Sequence, residues 1–278
     1  MTAMPENVQE TCTVDVEWGS RVTRIEYEFI HPDRVDSPLL VFLHEGLGSR
    51  SMWKDFPAAV CTAANCRGLV FSRWGYGKSS PRAAHEHWPV EFMHDQANLF
   101  LPAFFRALGI DTRADRPWLY GHSDGGSIAL IHAATHPGEV AGLILAAPHI
   151  FVEDLTILSI EEARSAYQTT DLRSRLARYH DDVDSAFWGW NDIWLNPAFR
   201  AWDIRPLLPD IQCPILAIQG YDDQYGTMAQ IDGIAHALPQ TRLLKLASCG
   251  HSPHRDQPQQ VIEAVRSFLQ AHASAASG

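Results

Sequence analysis

Cysteine is scarce in this chain: five residues, Cys12, Cys61, Cys66, Cys213 and Cys249, lie at irregular spacing among 278. An odd, scattered set does not make a disulfide framework or a zinc site, and it reads as reduced thiols of a cytoplasmic protein. Basic blocks are missing too. With a formal net charge of −11, the chain has nothing to neutralise a row of phosphates, which excludes nucleic acid as a partner. No apolar run approaches the roughly 20 residues of a membrane-spanning helix, so no membrane partner is expected. Residues 1–10 lack the basic and apolar stretches of a secretory leader. Metal-ligand spacing, internal repeats and a P-loop glycine–lysine pattern are likewise not found. The acidic balance serves solubility.

Hydrophobic residues make up 46% of the chain, enough for one large core or two modest ones. Thr11–Trp18 and Thr23–His31 alternate in polarity around Gly19-Ser20, which predicts an antiparallel hairpin at a sheet edge. Leu39–Leu43, Gly68–Phe71, Pro117–Tyr120, Gly142–Ala147, Pro214–Ile218 and Leu243–Leu246 are short continuous apolar runs, the pattern of strands covered on both faces. Helical periodicity falls between them, at Ser51–Cys61, Val90–Leu108 and Gly125–Thr135, and again at Pro258–Gln270. Such alternation predicts a mostly parallel sheet with right-handed crossovers. From about His149 to about Pro206 the alternation stops. Helical patterns there (Ile160–Tyr167, Asp171–Tyr179, Val183–Trp194) carry no strand between them, and the stretch holds four of the nine tryptophans. Ala271–Gly278 reads as a small, polar, frayed tail.

The chemistry concentrates at three strand ends. Gly121-His122-Ser123-Asp124-Gly125 is a Gly-x-Ser-x-Gly segment placed between a predicted strand and a predicted helix. A sharp turn there lifts the serine hydroxyl clear of the sheet, and glycines on either side avoid the clash of a tight turn. A free hydroxyl is a poor nucleophile and needs a base. The run 214–218 empties into Gly220-Tyr221-Asp222-Asp223, and the run 243–246 into Ser248-Cys249-Gly250-His251-Ser252-Pro253-His254. Ser123, an acid from the Asp222–Asp223 pair, and a base from His251 or His254 therefore follow one another, each just past a strand. The chain has 14 histidines, so only this position distinguishes His251, with His254 as its rival.

In this order of motifs the sequence resembles the α/β-hydrolase superfamily, from about Val14 to about Leu269. The resemblance implies a mostly parallel, eight-stranded-type sheet flanked by helices. A helical cap at 149–206 would divide the hydrolase core into 1–148 and 207–278. It also implies a catalytic triad of Ser123, Asp223 and His251, with Asp223 favoured over Asp222 by the Gly-x-x-Asp spacing from Gly220. The oxyanion hole would come from the backbone N–H groups of Gly46 and Asp124. His44-Glu45-Gly46-Leu47-Gly48 departs from the family pattern, because Glu45 stands where glycine is common. A carboxylate there is expected to turn away or to be neutralised by Arg50 or Arg73. Asp124 also suits the first turn of a helix through the dipole. The Ser72–Ser79 loop resembles the family's Arg-Gly-x-Gly-x-Ser segment, with glycines that serve turns.

Four aromatics within Phe187–Trp194 pack the cap, and some are candidates for an apolar pocket: Trp188, Trp190 and Trp194, joined by His149 and Tyr225 near strand ends. The expected activity is hydrolysis of an ester, thioester or lactone of a small, largely apolar molecule through an acyl-enzyme, with no cofactor and no metal. Hydrolysis of a carbon–carbon bond in a ring-cleavage product uses the same triad and stays open. A ligand-binding module on the same fold also stays open. A serine at 123 disfavours the epoxide-hydrolase and dehalogenase branches, which use aspartate. An aminopeptidase would require a cap acid such as Glu153, Asp154 or Glu161 to hold an amine. Exposed cap aromatics would be compatible with a homodimer.

Overall fold

The computed structural model describes residues 12–275, with side chains to His272. The expected strand start at Thr11 and the last three residues of the tail lie outside the described residues. Eight strands form one sheet in the order β1-β2-β4-β3-β5-β6-β7-β8. They are β1 (Cys12–Trp18), β2 (Arg21–Ile30), β3 (Leu39–Leu43), β4 (Arg67–Phe71), β5 (Trp118–His122), β6 (Gly142–Ala146), β7 (Ile215–Gly220) and β8 (Thr241–Leu246). The β1–β2 and β2–β4 pairs are antiparallel and every later pair is parallel. The expected edge hairpin and parallel core are both present.

Period-two alternation explains why the inner strands are apolar on both faces. In β3, Leu39, Val41 and Leu43 enter one core, while Leu40 and Phe42 enter the other. In β5, Leu119 belongs to the first side and Trp118 and Tyr120 to the second. The second side is closed by the helices Phe56–Ala64 and Pro258–Ala275, whose Val60, Val261, Val265 and Phe268 are buried there. The first side is closed by the Asp124–Thr135 helix and by the helical run from Phe92 to Ala107. That run was expected as one helix over 90–108. It contains a π-helical stretch at Gln96–Phe100, a local widening that hydrophobic period alone does not reveal. The last helix continues past the expected Gln270 to Ala275.

Between β6 and β7 the described residues form helices Asp154–Thr169, Leu172–Leu176 and Val183–Trp194, then two 3-10 turns. Both ends of this excursion meet at its base: Ile204 N–H donates to the Ile150 carbonyl at 2.9 Å, and Phe151 bridges Asp203. No helix among the described residues is long and apolar enough to cross a membrane.

Candidate active site

Ser123 joins β5 to the Asp124–Thr135 helix with φ 52 and ψ −118. A non-glycine residue in that conformation stores about 1–3 kcal/mol of strain, which the surroundings must impose. The flanking glycines show how. A Cβ on Gly121 would lie 2.3 Å from the Gly125 carbonyl oxygen, and one on Gly125 would lie 2.1 Å from that of Leu43. The elbow is thus wedged between backbone atoms that accept no side chain.

His251 Nε2 lies 2.9 Å from Ser123 Oγ. Its Nδ1 faces both oxygens of Asp223, at 2.9 and 3.0 Å. Those acceptors keep the proton on Nδ1 and leave Nε2 free to take the serine proton. Asp223 is buried, and it also accepts from the N–H groups of Tyr225 (2.8 Å) and Gly226 (3.2 Å) and from the Gln219 amide (3.1 Å). Burial would raise its pKa, but the neighbouring His251 and the Tyr225 N–H outweigh that and hold it below the ordinary range. The acid and base loops meet because position 220 is glycine: a Cβ there would sit 1.9 Å from the Cys249 carbonyl oxygen. Asp222 is exposed and its N–H donates to that same carbonyl. His254, the rival base, is packed away from Ser123, with ring centroids 4.9 Å from both Trp53 and His122.

The turn after β3 is held from below. The Glu45 carbonyl accepts from His44 Nδ1 at 2.7 Å, Arg73 Nη2 at 2.9 Å and Gly48 N at 3.0 Å. His44 Nε2 accepts from the Arg73 N–H, so its tautomer is set with the proton on Nδ1. A trans peptide points C=O and the next N–H in opposite directions. Fixing the Glu45 carbonyl therefore fixes the Gly46 N–H on the opposite side. Gly46 and Asp124 both line the cavity that contains Ser123, and the first N–H groups of a helix have no intrahelical acceptor.

Arg50 and Arg73 do not neutralise the Glu45 side chain. Arg50 pairs with Glu26 and Glu28, and Arg73 reaches only the Glu45 backbone carbonyl. The carboxylate instead lies 3.3 Å from His122 Nδ1 and 3.6 Å from Arg255. Burial pushes its pKa up, but His122, His254 and Arg255 together pull it well below the ordinary range. No sequence pattern marks this cluster. His122 precedes Ser123 and Arg255 lies four residues after His251, and only the fold brings them to one turn.

Asp124 is buried and accepts from Trp194 Nε1 at 3.2 Å, with Arg73 3.7 Å from its other oxygen. Burial raises its pKa, and the Arg73 charge opposes the rise. Its place in the first helical turn is as expected, but it also supports the indole of a cavity residue.

The cavity over Ser123 has a volume of about 100 Å³. Trp190, Trp194, His149 and Tyr225 line it, together with Thr156, Ile160 and Leu47, which sequence had not singled out. Thr156 and Ile160, like Trp190 and Trp194, are four residues apart and share a helix face. Trp188 does not line the cavity. It stacks edge-on against Tyr167 and Phe187, with Arg164 over its ring. A larger open cleft, of about 650 Å³, is bordered by Arg106, Arg113, His136 and Glu139. It lies at the far end of the Asp124–Thr135 helix, about 18 Å along from Ser123. Among the described residues no cluster of His, Cys, Asp or Glu is placed to hold a metal ion.

Comparison with known proteins agrees with this fold. The chain is 27% identical to the candidate carbamate hydrolase RutD of Pseudomonas savastanoi pv. phaseolicola, over 88% of this chain and 98% of the relative. It is 23% identical to 2-succinyl-6-hydroxy-2,4-cyclohexadiene-1-carboxylate synthase of Enterobacter sp. (strain 638), over 84% and 92% of the two chains. The solved enol-lactonase from Burkholderia xenovorans LB400 superposes with a TM-score of 0.69 at 22% identity, covering 91% of this chain and all of that one. The alpha/beta hydrolase family profile matches residues 40–264, and the chain belongs to that family.

Proposed function

We propose that this protein is a serine hydrolase of a small ester, thioester or lactone, acting through an acyl-enzyme. The observation that carries the reading is the continuous chain from Ser123 Oγ through His251 to Asp223, with every link between 2.9 and 3.0 Å. His251 Nε2 takes the Ser123 proton as Oγ bonds to the substrate carbonyl carbon. The carbonyl oxygen becomes an oxyanion facing the Gly46 and Asp124 N–H groups, each worth about 3–4 kcal/mol to the transition state. The tetrahedral species collapses as His251 returns the proton to the departing alkoxide or thiolate. A water then loses a proton to His251, attacks the acyl carbon and releases the acid, which restores Ser123. Asp223 keeps the imidazole oriented and stabilises its cationic form.

Reaction with a fluorophosphonate, followed by peptide mapping, tests this. Label confined to Ser123, lost in His251→Ala, supports the reading and leads to a panel of short esters, thioesters and lactones. A folded protein that stays unlabelled even with the smallest fluorophosphonates would overturn it in favour of a ligand-binding module.

A further inference from the structure

The cavity is mostly apolar, and its polar groups differ in whether the protein already uses them. His251 commits both ring nitrogens, to Ser123 and to Asp223. Thr156 Oγ1 donates to the Tyr225 carbonyl. Asp124 gives one oxygen to Trp194 and turns the other toward Arg73. His149 differs. The residue is 2% exposed and lines the cavity, yet Nδ1 has no hydrogen-bond partner.

The surroundings hold this imidazole in place without satisfying it. Its backbone is fixed on both sides by Ser127: the carbonyl accepts from Oγ at 2.6 Å and the N–H donates to Oγ at 3.1 Å. Trp194 packs edge-on against the ring at 5.1 Å, and the His251 ring lies 5.7 Å away. Burial first, and then the neighbouring His251, drive its pKa down to about 3, so the ring is neutral. A neutral imidazole offers one donor and one acceptor, and leaving such a group buried without a partner is unfavourable. A site of this kind discriminates strongly for a ligand that completes it, because the wrong ligand leaves the polar group unpaired.

We infer that His149 is a substrate-binding residue that hydrogen-bonds an oxygen-bearing group, a hydroxyl or a carbonyl, within a few bonds of the scissile carbonyl. The preferred substrates are then small hydroxy- or oxo-substituted acyl compounds rather than plain alkyl esters. The apolar rings set the size limit, and the imidazole selects the oxygen. This inference rests on the serine-hydrolase reading of the same cavity.

The test uses the full chain and a matched pair, the p-nitrophenyl esters of butyrate and 3-hydroxybutyrate. The wild type should favour the hydroxylated ester in kcat/KM by about tenfold. His149→Phe should collapse that ratio toward one, and His149→Gln, which keeps a donor and an acceptor, should restore part of it. Circular dichroism of each variant confirms that it is folded. A wild-type ratio near one, or a ratio unchanged in folded His149→Phe, would overturn the inference while leaving the hydrolase reading intact. If neither ester turns over but Ser123 still takes the fluorophosphonate, the matching amides are compared as protectors of Ser123, with the same ratio expected. Failure of Ser123 to label would remove the hydrolase reading, and this inference with it.

Discussion

The Glu45 carboxylate lies 3.3 Å from Nδ1 of His122, and the other nitrogen of that ring lies 2.7 Å from the carbonyl oxygen of His251. Both partners are acceptors. The Glu45 contact is a close approach rather than an aligned hydrogen bond. Its effect is positional, since it links the turn after β3 to the loop that carries His251.

Glu45→Ala removes that link together with the carboxylate's contact to Arg255, and should lower the unfolding free energy by about 1–2 kcal/mol. It should also slow fluorophosphonate labelling of Ser123 more than it changes the KM of any ester. Urea unfolding and labelling rates on one preparation check both. An unchanged labelling rate would mean that His251 keeps its place without the pair.

Asp222 and Asp223 are neighbours in sequence with opposite environments, one exposed and one buried against His251. Asp223→Asn should present the imidazole in the wrong tautomer and reduce kcat by on the order of 10⁴. Asp222→Asn should stay within about twofold of the wild type, as surface substitutions do. Steady-state rates on the best ester found would separate the two, and comparable losses would reverse the assignment of the acid.

A Cβ on Gly46 would lie 2.2 Å from Cδ1 and Nε1 of Trp190. Gly46→Ala must therefore move either the indole or the peptide whose N–H faces the cavity. The expected result is a loss of about 10²-fold in kcat with the fold retained, read by kinetics alongside a thermal melt. Retention of full activity would show that this peptide does not hold the oxyanion.

Buried histidines set the acid limit of stability. Burial lowers His132 to about 4 and His149 to about 3, from an ordinary value of 6.5, and holds His44 and His254 well below it and His180 below it. Between those values and 6.5 the unfolded chain binds protons that the folded chain refuses. Stability is therefore complete above about pH 6.5 and falls as the pH drops, by roughly 1.4 kcal/mol per unit for each ring. Asp223, held below its ordinary value of 3.8, adds a further loss only at lower pH. Unfolding free energies measured from pH 7 to pH 4 should show this slope, and His149→Phe should reduce it by one proton's share.

Sequence carried the sheet because strand-type runs are local patterns, and paired glycines with reactive residues just past strands narrowed the site to Ser123, the Asp222–Asp223 pair and His251 or His254; the choice of Asp223 and His251 came from the family resemblance. The Glu45–His122–Arg255 cluster is different in kind. Its members come from three loops far apart in the chain, and no spacing relates them. Trp188 was misplaced for a simpler reason. It lies two residues before Trp190, about 200° around the helix, so a cluster of aromatics on one helix cannot all face one cavity. The four-residue step from Trp190 to Trp194 held the correct signal.

The joined base of the excursion between β6 and β7 has a consequence for how this architecture can vary. Since the Ile150–Ile204 hydrogen bond and the Phe151–Asp203 bridge close the segment where it leaves the sheet, the sheet does not depend on the length of chain above them. Loop-closure entropy changes only logarithmically with length, about 0.6 kcal/mol per doubling. The helices above that base form an exchangeable lining. Changes of length among them would reshape the chamber over Ser123, while Ser123, Asp223 and His251 stay at the strand ends below.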